Sequence, residues 1–220
     1  MAIKPLHPAW LRILHWIHFY AFGVMVWSGL CIYWAFQAYK FKVGSTVIYA
    51  VPKVVFDWLG IKFSLATGLA YHFSFMWLIM ATGLIYFVVS LTSGNWRHLF
   101  PTPKDMLGVF QMMAYTLKLR KTTPAQGKYN PAQKMAYFST VLALMLLVFS
   151  GVAIYKPARM AWLTSLFGGY EMARAFHFWS TYFLVFFFVV HVVQVIRAGW
   201  TTFAAMVTGG KQETQIPPQT

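Results

Sequence analysis

The stretch HFWSTYFLVFFFVVH, residues 177–191, holds no Lys, Arg, Asp or Glu and carries a histidine at each end. It lies within the 22 residues that separate Arg174 from Arg197. Crossing the hydrocarbon core of a bilayer as a helix takes about 20 such residues, and a helix is required because lipid offers backbone groups no partner. His177 and His191 are 14 positions apart. At 100° per residue that is about 1,400°, within ~40° of whole turns, with ~21 Å of rise. The two imidazoles therefore look off nearly one face of one helix, one near each membrane surface.

Three more stretches of this kind lie upstream: 27 residues between Arg12 and Lys40, 34 between Lys62 and Arg97, and 21 between Lys134 and Lys156. They predict an all-α integral membrane protein, a four-helix bundle with spans at about 13–36, 66–91, 135–155 and 174–197. Residues 1–208 form the membrane domain and 209–220 a polar tail. The composition agrees: 59% hydrophobic, 20% aromatic and only 10% charged, with a mean hydropathy of +0.57, excludes an ordinary soluble domain. The net charge of +14 sits on residues flanking the apolar runs, so it sets topology and meets anionic membrane lipid rather than nucleic acid. With the N-terminus inside, eleven Lys and Arg fall on inner segments and seven on outer ones, which predicts both termini in the cytoplasm. The outer segment 37–62 contains VIYAVPKVVFDWLG, apolar enough for a short interfacial helix. Residues 92–134 form a long basic inner loop broken by prolines, and 156–173 a second outer loop. There is no internal repeat. The single Cys31 allows no intramolecular disulfide, and no Cys-x-x-Cys-His sequence is present for c-type haem. The N-terminus shows no cleavable signal pattern.

Ionisable groups inside spans are rare and usually functional. Of the seven histidines, His15, His18, His72, His177 and His191 fall in spans or at their ends, whereas His7 and His98 lie outside them. The spacing of His177 and His191 suits two b-type haems stacked across the bilayer, each needing two axial histidines. Depth selects the others: His15 pairs with His191 near the inner surface, and His72 with His177 near the outer. His18, three residues from His15, is the competing first-span ligand, or a contact to a propionate or quinone. Gly29 shares a face with His15 at outer depth, and Gly83 shares one with His72 at inner depth. These glycines either admit a porphyrin edge or serve close helix packing. Arg12 and Arg174, each three residues before a candidate ligand, either meet haem propionates or snorkel to the boundary. Near-absence of acidic side chains in the spans argues against a proton or ion pathway.

HPAWLRILHW (7–16), AYHF (70–73), KYNPAQKMAYF (128–138) and LFGGYEMARAFHF (166–178) together resemble the b-type cytochrome subunits of bacterial respiratory oxidoreductases. That family includes thiosulfate reductase cytochrome b, formate dehydrogenase gamma and nickel–iron hydrogenase cytochrome b subunits, related to prokaryotic cytochrome b561. The resemblance covers nearly the whole chain. It implies a four-helix di-haem cytochrome of the bacterial inner membrane, passing electrons between the quinone pool and a periplasmic redox partner. That partner would be a molybdopterin or iron–sulfur oxidoreductase subunit, or a cytochrome. Carried over by position, the haem-iron ligands fall on His15, His72, His177 and His191, and the quinone-binding Asn on Asn130. The position two further on, glycine in the formate dehydrogenase type, is Ala132 here. The chain is then an electron-transfer subunit without catalytic residues of its own. Competing expectations are a stand-alone transmembrane ferric or small-molecule reductase, and a haem-free membrane anchor or transporter. The outer loops carry only Asp57 and Glu171 as acids, which suggests a partner with an acidic docking face.

Overall fold

The computed structural model describes residues 7–62, 64–94, 96–122 and 130–210. Most of the expected polar tail, residues 211–220, lies outside them, as do Lys128 and Tyr129 of the KYNPAQKMAYF motif. Among the described residues, four helices are long and apolar enough to span a membrane: α1 (Ala9–Ala35), α3 (Leu65–Thr92), α6 (Pro131–Tyr155) and α8 (Tyr170–Ala198). At 1.5 Å per residue even the 25 residues of α6 reach about 38 Å, more than the hydrocarbon core requires. The expected spans fall almost wholly within these helices, but α1, α6 and α8 each begin four residues earlier. The cause is that caps, not charges, start the helices. Pro8 precedes α1, the Asn130–Pro131 pair opens α6, and Gly169 (φ 104°), in a backbone region open chiefly to glycine, turns the chain into α8. Arg12, Lys134 and Arg174 consequently ride on the first turns, where long basic side chains reach the interface.

The all-α expectation is corrected at one place. Strands β1 (Lys40–Val43) and β2 (Thr46–Tyr49) form an antiparallel hairpin in which Lys40 faces Tyr49 and Lys42 faces Val47. KFKV alternates polar and apolar residues with period two, TVIY is β-branched and aromatic, and Gly44 (φ 60°) makes the turn. Only Lys53–Trp58, α2, of the expected interfacial segment is helical, starting after Pro52. The remaining helices are short: α4 (Trp96–Leu99), α5 (Pro103–Thr116), α7 (Ala161–Leu166) and α9 (Trp200–Thr208).

The chain divides into two compact units, residues 1–86 with 204–220, and residues 87–203. In the first, α1 meets the end of α9: Arg12 Nη1 donates to the Val207 carbonyl (2.6 Å) and Trp16 Nε1 to that of Met206 (3.1 Å). These bonds satisfy carbonyls that a helix C-terminus leaves without an internal donor. In the second unit, α5 packs on the start of α6. An added Cβ at Gly108 would fall 2.6 Å from Pro131 Cγ, so this approach is open only to glycine.

Asp105 ties the same two helices. Its Oδ2 accepts from Thr102 N (2.7 Å) and Oγ1 (2.8 Å), and Lys134 Nζ donates to both oxygens at 3.1–3.2 Å. The Thr102 bonds, aided by Lys134, hold its carboxyl below the usual carboxylate value of 3.8. A depressed folded-state value contributes stability above pH 3.8 that is lost as pH falls through it. Asp105→Asn is therefore expected to lower unfolding stability at pH 7 by about 1–3 kcal/mol. The gap to the unaltered chain should narrow below pH 4, as thermal unfolding in detergent at the two pH values would show.

Candidate functional site

Each unit holds one mid-helix histidine in the same way. In the first unit, His72 of α3 places Nδ1 3.0 Å from Ser28 Oγ of α1, and Ser28 Oγ donates to the Met25 carbonyl at 3.2 Å. With its proton on Met25, the hydroxyl is able to accept from His72 Nδ1–H. In the second unit, His177 of α8 donates from Nδ1 to the Leu147 carbonyl of α6 at 3.0 Å, with Ser150 Oγ at 3.3 Å. Ser150 in turn donates to the Leu146 carbonyl at 2.6 Å. The Leu147 carbonyl, which can only accept, fixes the Nδ1–H tautomer of His177 and puts that ring's lone pair on Nε2, and the Ser28 hydroxyl is compatible with the same tautomer at His72. This is the state that metal-binding histidines adopt when a neighbouring acceptor orients them.

A glycine follows each serine and lies against the ring it orients. A Cβ at Gly29 would stand 3.6 Å from His72 Cε1, and one at Gly151 only 3.1 Å from His177 Cε1. Ser28–Gly29 and Ser150–Gly151 are thus the same two-residue device on two helices, and His72 and His177 are each the eighth residue of their helix. Ser28, Ser150 and Gly151 were not among the expected site residues. A Ser-Gly pair inside an apolar run reads as packing, and the signal available was its occurrence twice.

His18 differs. Its Nδ1 lies 2.8 Å from the Leu14 carbonyl and its Nε2 3.1 Å from Thr82 Oγ1 on α3. Both ring nitrogens are engaged by protein oxygens, a pattern of a helix-bridging residue. His15 packs edge-on against Trp16 at 5.2 Å, and His191 stacks on Phe187 at 6.0 Å with the rings 16° apart.

The other candidates divide. Arg12 keeps its Nε buried and without a hydrogen-bond partner among the described residues, while Nη1 holds Val207. Arg174 bonds Glu171 at 3.1 Å and lies over the Tyr170 ring. Asn130 caps α6: its Oδ1 accepts from Gln133 N (2.8 Å), and its own N–H donates to Gln133 Oε1 (3.1 Å). The capping box leaves the Asn130 Nδ2 as the group able to donate outward. A Cβ at Gly83 would meet nothing within 4 Å. Among the described residues, no group of three or more His, Cys, Asp or Glu forms a protein-only metal cluster.

Comparison with known proteins gives the arrangement a context. A family model described as prokaryotic cytochrome b561 matches residues 6–209. The chain is 32% identical over 207 residues to YedZ1 of Azospira oryzae, named as a protein-methionine-sulfoxide reductase subunit, covering 94% of this chain and 98% of that protein. It is 24% identical over 229 residues to the F420 non-reducing hydrogenase II cytochrome subunit of Methanosarcina mazei, covering 92% of this chain and 80% of the other.

Proposed function

The chain belongs to the prokaryotic cytochrome b561 family, and from that premise we propose that it is the di-haem membrane subunit of a quinone-linked oxidoreductase. Membership and the four spans make it a multi-pass membrane cytochrome b. The observation that carries the finer reading is the paired Ser-Gly device, which orients the His72 and His177 rings through Nδ1 and leaves Nε2 of each facing away from its partner oxygen. The residues fit the group in a second respect: the Arg12 Nε, buried and without a hydrogen-bond partner among the described residues, lies three residues from His15 and suits a propionate.

In this reading His72 and His177 hold an outer haem, and His15 and His191 an inner one, paired by the depths the sequence assigns. His15 is preferred to His18 because both nitrogens of His18 are taken. Bound haem supplies one-electron chemistry, its potential set by ligands, hydrogen bonds and burial. Serine and backbone acceptors raise the basicity of the ligating ring. Arg12 neutralises a propionate, and Arg174, already paired with Glu171, takes a similar outer place. Gly29 and Gly83 leave room for a porphyrin edge. Asn130 Nδ2 donates to a quinone carbonyl at the inner surface. Both termini face the cytoplasm, and the membrane is the bacterial inner one.

The partner is a periplasmic oxidoreductase subunit with an acidic docking face. Two relatives carry the names of oxidoreductase subunits, and the hairpin exposes Lys40 and Lys42 on one face. The decisive measurement is a reduced-minus-oxidised spectrum with pyridine haemochrome quantitation on the purified chain. About two b-type haems per chain are expected. One haem would overturn the di-haem assignment, and none would leave an anchor or transporter. Reduction by quinol supports the quinone link; reduction only by ascorbate, with ferric iron as acceptor, would replace it with a stand-alone reductase.

The two serines should differ in weight. Ser28→Ala removes the hydroxyl acceptor of His72, whereas Ser150→Ala leaves His177 the Leu147 carbonyl. Redox titration is expected to show an upward shift of the outer-haem potential in Ser28→Ala and a smaller one in Ser150→Ala. Equal potentials in both variants and the unaltered chain would sink the tuning role.

A further inference from the structure

The basic loop between α3 and α6 is folded against the end of a membrane span. Phe100 sets its ring 5.4 Å from that of Phe138, two turns into α6, and Gly108 and Asp105 of α5 touch Pro131 and Lys134 in its first turn. This places α4 and α5 beside the first two turns of a span, at the depth where hydrocarbon meets headgroups.

At that depth α5 is three-sided. Asp105 and Gly108 are buried and Val109 and Met112 half-buried, forming the face toward α6. Around the helix from them runs an apolar stripe, Met106, Leu107, Phe110, Met113 and Leu117, each 54–70% exposed. At 100° per residue these five fall within a sector of about 120°, and Lys104 and Gln111 lie beyond it. Immediately after α5 come Lys118, Arg120 and Lys121, all exposed, while the segment's one acid, Asp105, is already paired with Lys134. An apolar sector, a polar sector and a basic end are the pattern of a helix lying in a membrane surface.

We infer that α5 lies in the plane of the bilayer surface, its Met106–Leu107–Phe110–Met113–Leu117 stripe among acyl chains. Lys118, Arg120 and Lys121 bind the phosphates of anionic lipid headgroups. The occupant of the stripe is the protein's own bilayer, because α5 is bonded to the first turn of the span α6 and bears an exposed basic end suited to anionic headgroups. The inference does not depend on haem or quinone.

Spin labels test it in nanodiscs of mixed phosphatidylglycerol and phosphatidylcholine. Single cysteines replace Leu107, Phe110 or Gln111 on a Cys31→Ala background, with helical circular dichroism and a monodisperse size-exclusion profile checking each fold. Labels at 107 and 110 are expected to collide more with oxygen than with a water-soluble nickel chelate, and the label at 111 the reverse. Free nickel access at 107 and 110 would overturn the inference. So would exclusion of both probes there, which would mean that protein, such as a second copy, covers the stripe. For the basic end, phosphatidylglycerol retained through purification is quantified by mass spectrometry. K118Q/R120Q/K121Q should lower it roughly tenfold or more relative to phosphatidylcholine, at about 1 kcal/mol per charge. Unchanged retention would remove the headgroup assignment.

Discussion

Alanine at His15, His72, His177 or His191 is expected to bring the purified chain from about two b-type haems to about one, while His18→Gln leaves it near two. An axial histidine is half of its haem's protein ligation, so its loss leaves a five-coordinate haem that dissociates during purification. His18 is the discriminating case. Its Nδ1 is bonded to Leu14 and its Nε2 to Thr82, and a ring that bridges two oxygens has no lone pair to give to iron without breaking a bond. Glutamine carries one donor and one acceptor at similar reach and preserves part of the bridge. Haemochrome ratios read the outcome, and low-temperature spectra show which haem band disappears. Removal of a haem by His18→Gln but not by His15→Ala would exchange the two residues. The pairing is tested by the same set: His72→Ala and His177→Ala should abolish the same band, and His15→Ala and His191→Ala the other.

The spans were legible because lipid imposes a length and an absence of charge on each crossing, and both are counted directly from Arg12, Lys40, Lys62 and the other bounding residues. Helix starts were less so, since Pro8, Asn130 and Gly169 cap them upstream of the nearest charge. The hairpin at 40–49 was missed although KFKVGSTVIY alternates, because its neighbourhood of apolar runs suggested a helix. Within the candidate site, the 14-residue spacing of His177 and His191 is helical arithmetic and needs no partner to be seen. What orients a ring does need one: Ser28 reaches across 44 residues and Ser150 across 27. Asp105 and Lys134, 29 apart, are hidden for the same reason. Long-range pairings leave no periodic trace.

The second large effect belongs to a glycine that the composition gave no cause to notice. Gly68 lies one turn before His72 on α3, and an added Cβ there would fall 2.6 Å from Cys31 Cβ, 3.0 Å from the Ser28 carbonyl and 3.3 Å from Ile32 N. Two of these three atoms are backbone, so no side-chain rotation relieves the clash and α1 itself must retreat. Ser28 retreats with it, and Ser28 is the acceptor that orients His72. Gly68→Ala is therefore expected to cost roughly 1–3 kcal/mol of stability and to weaken retention of the haem assigned to His72, with Gly68→Val more severe. Gly23→Ala on α1 is the control, because a Cβ there meets nothing within 4 Å and alanine favours the helix by about 1 kcal/mol over glycine. Thermal loss of the Soret band in detergent separates the two: Gly68→Ala should unfold several degrees below the unaltered chain and Gly23→Ala at or slightly above it. Coincident melting of Gly68→Ala and the unaltered chain, with two haems retained, would mean that α1 and α3 do not approach at Gly68 as closely as the geometry requires. The link from that contact to the orientation of His72 would go with it.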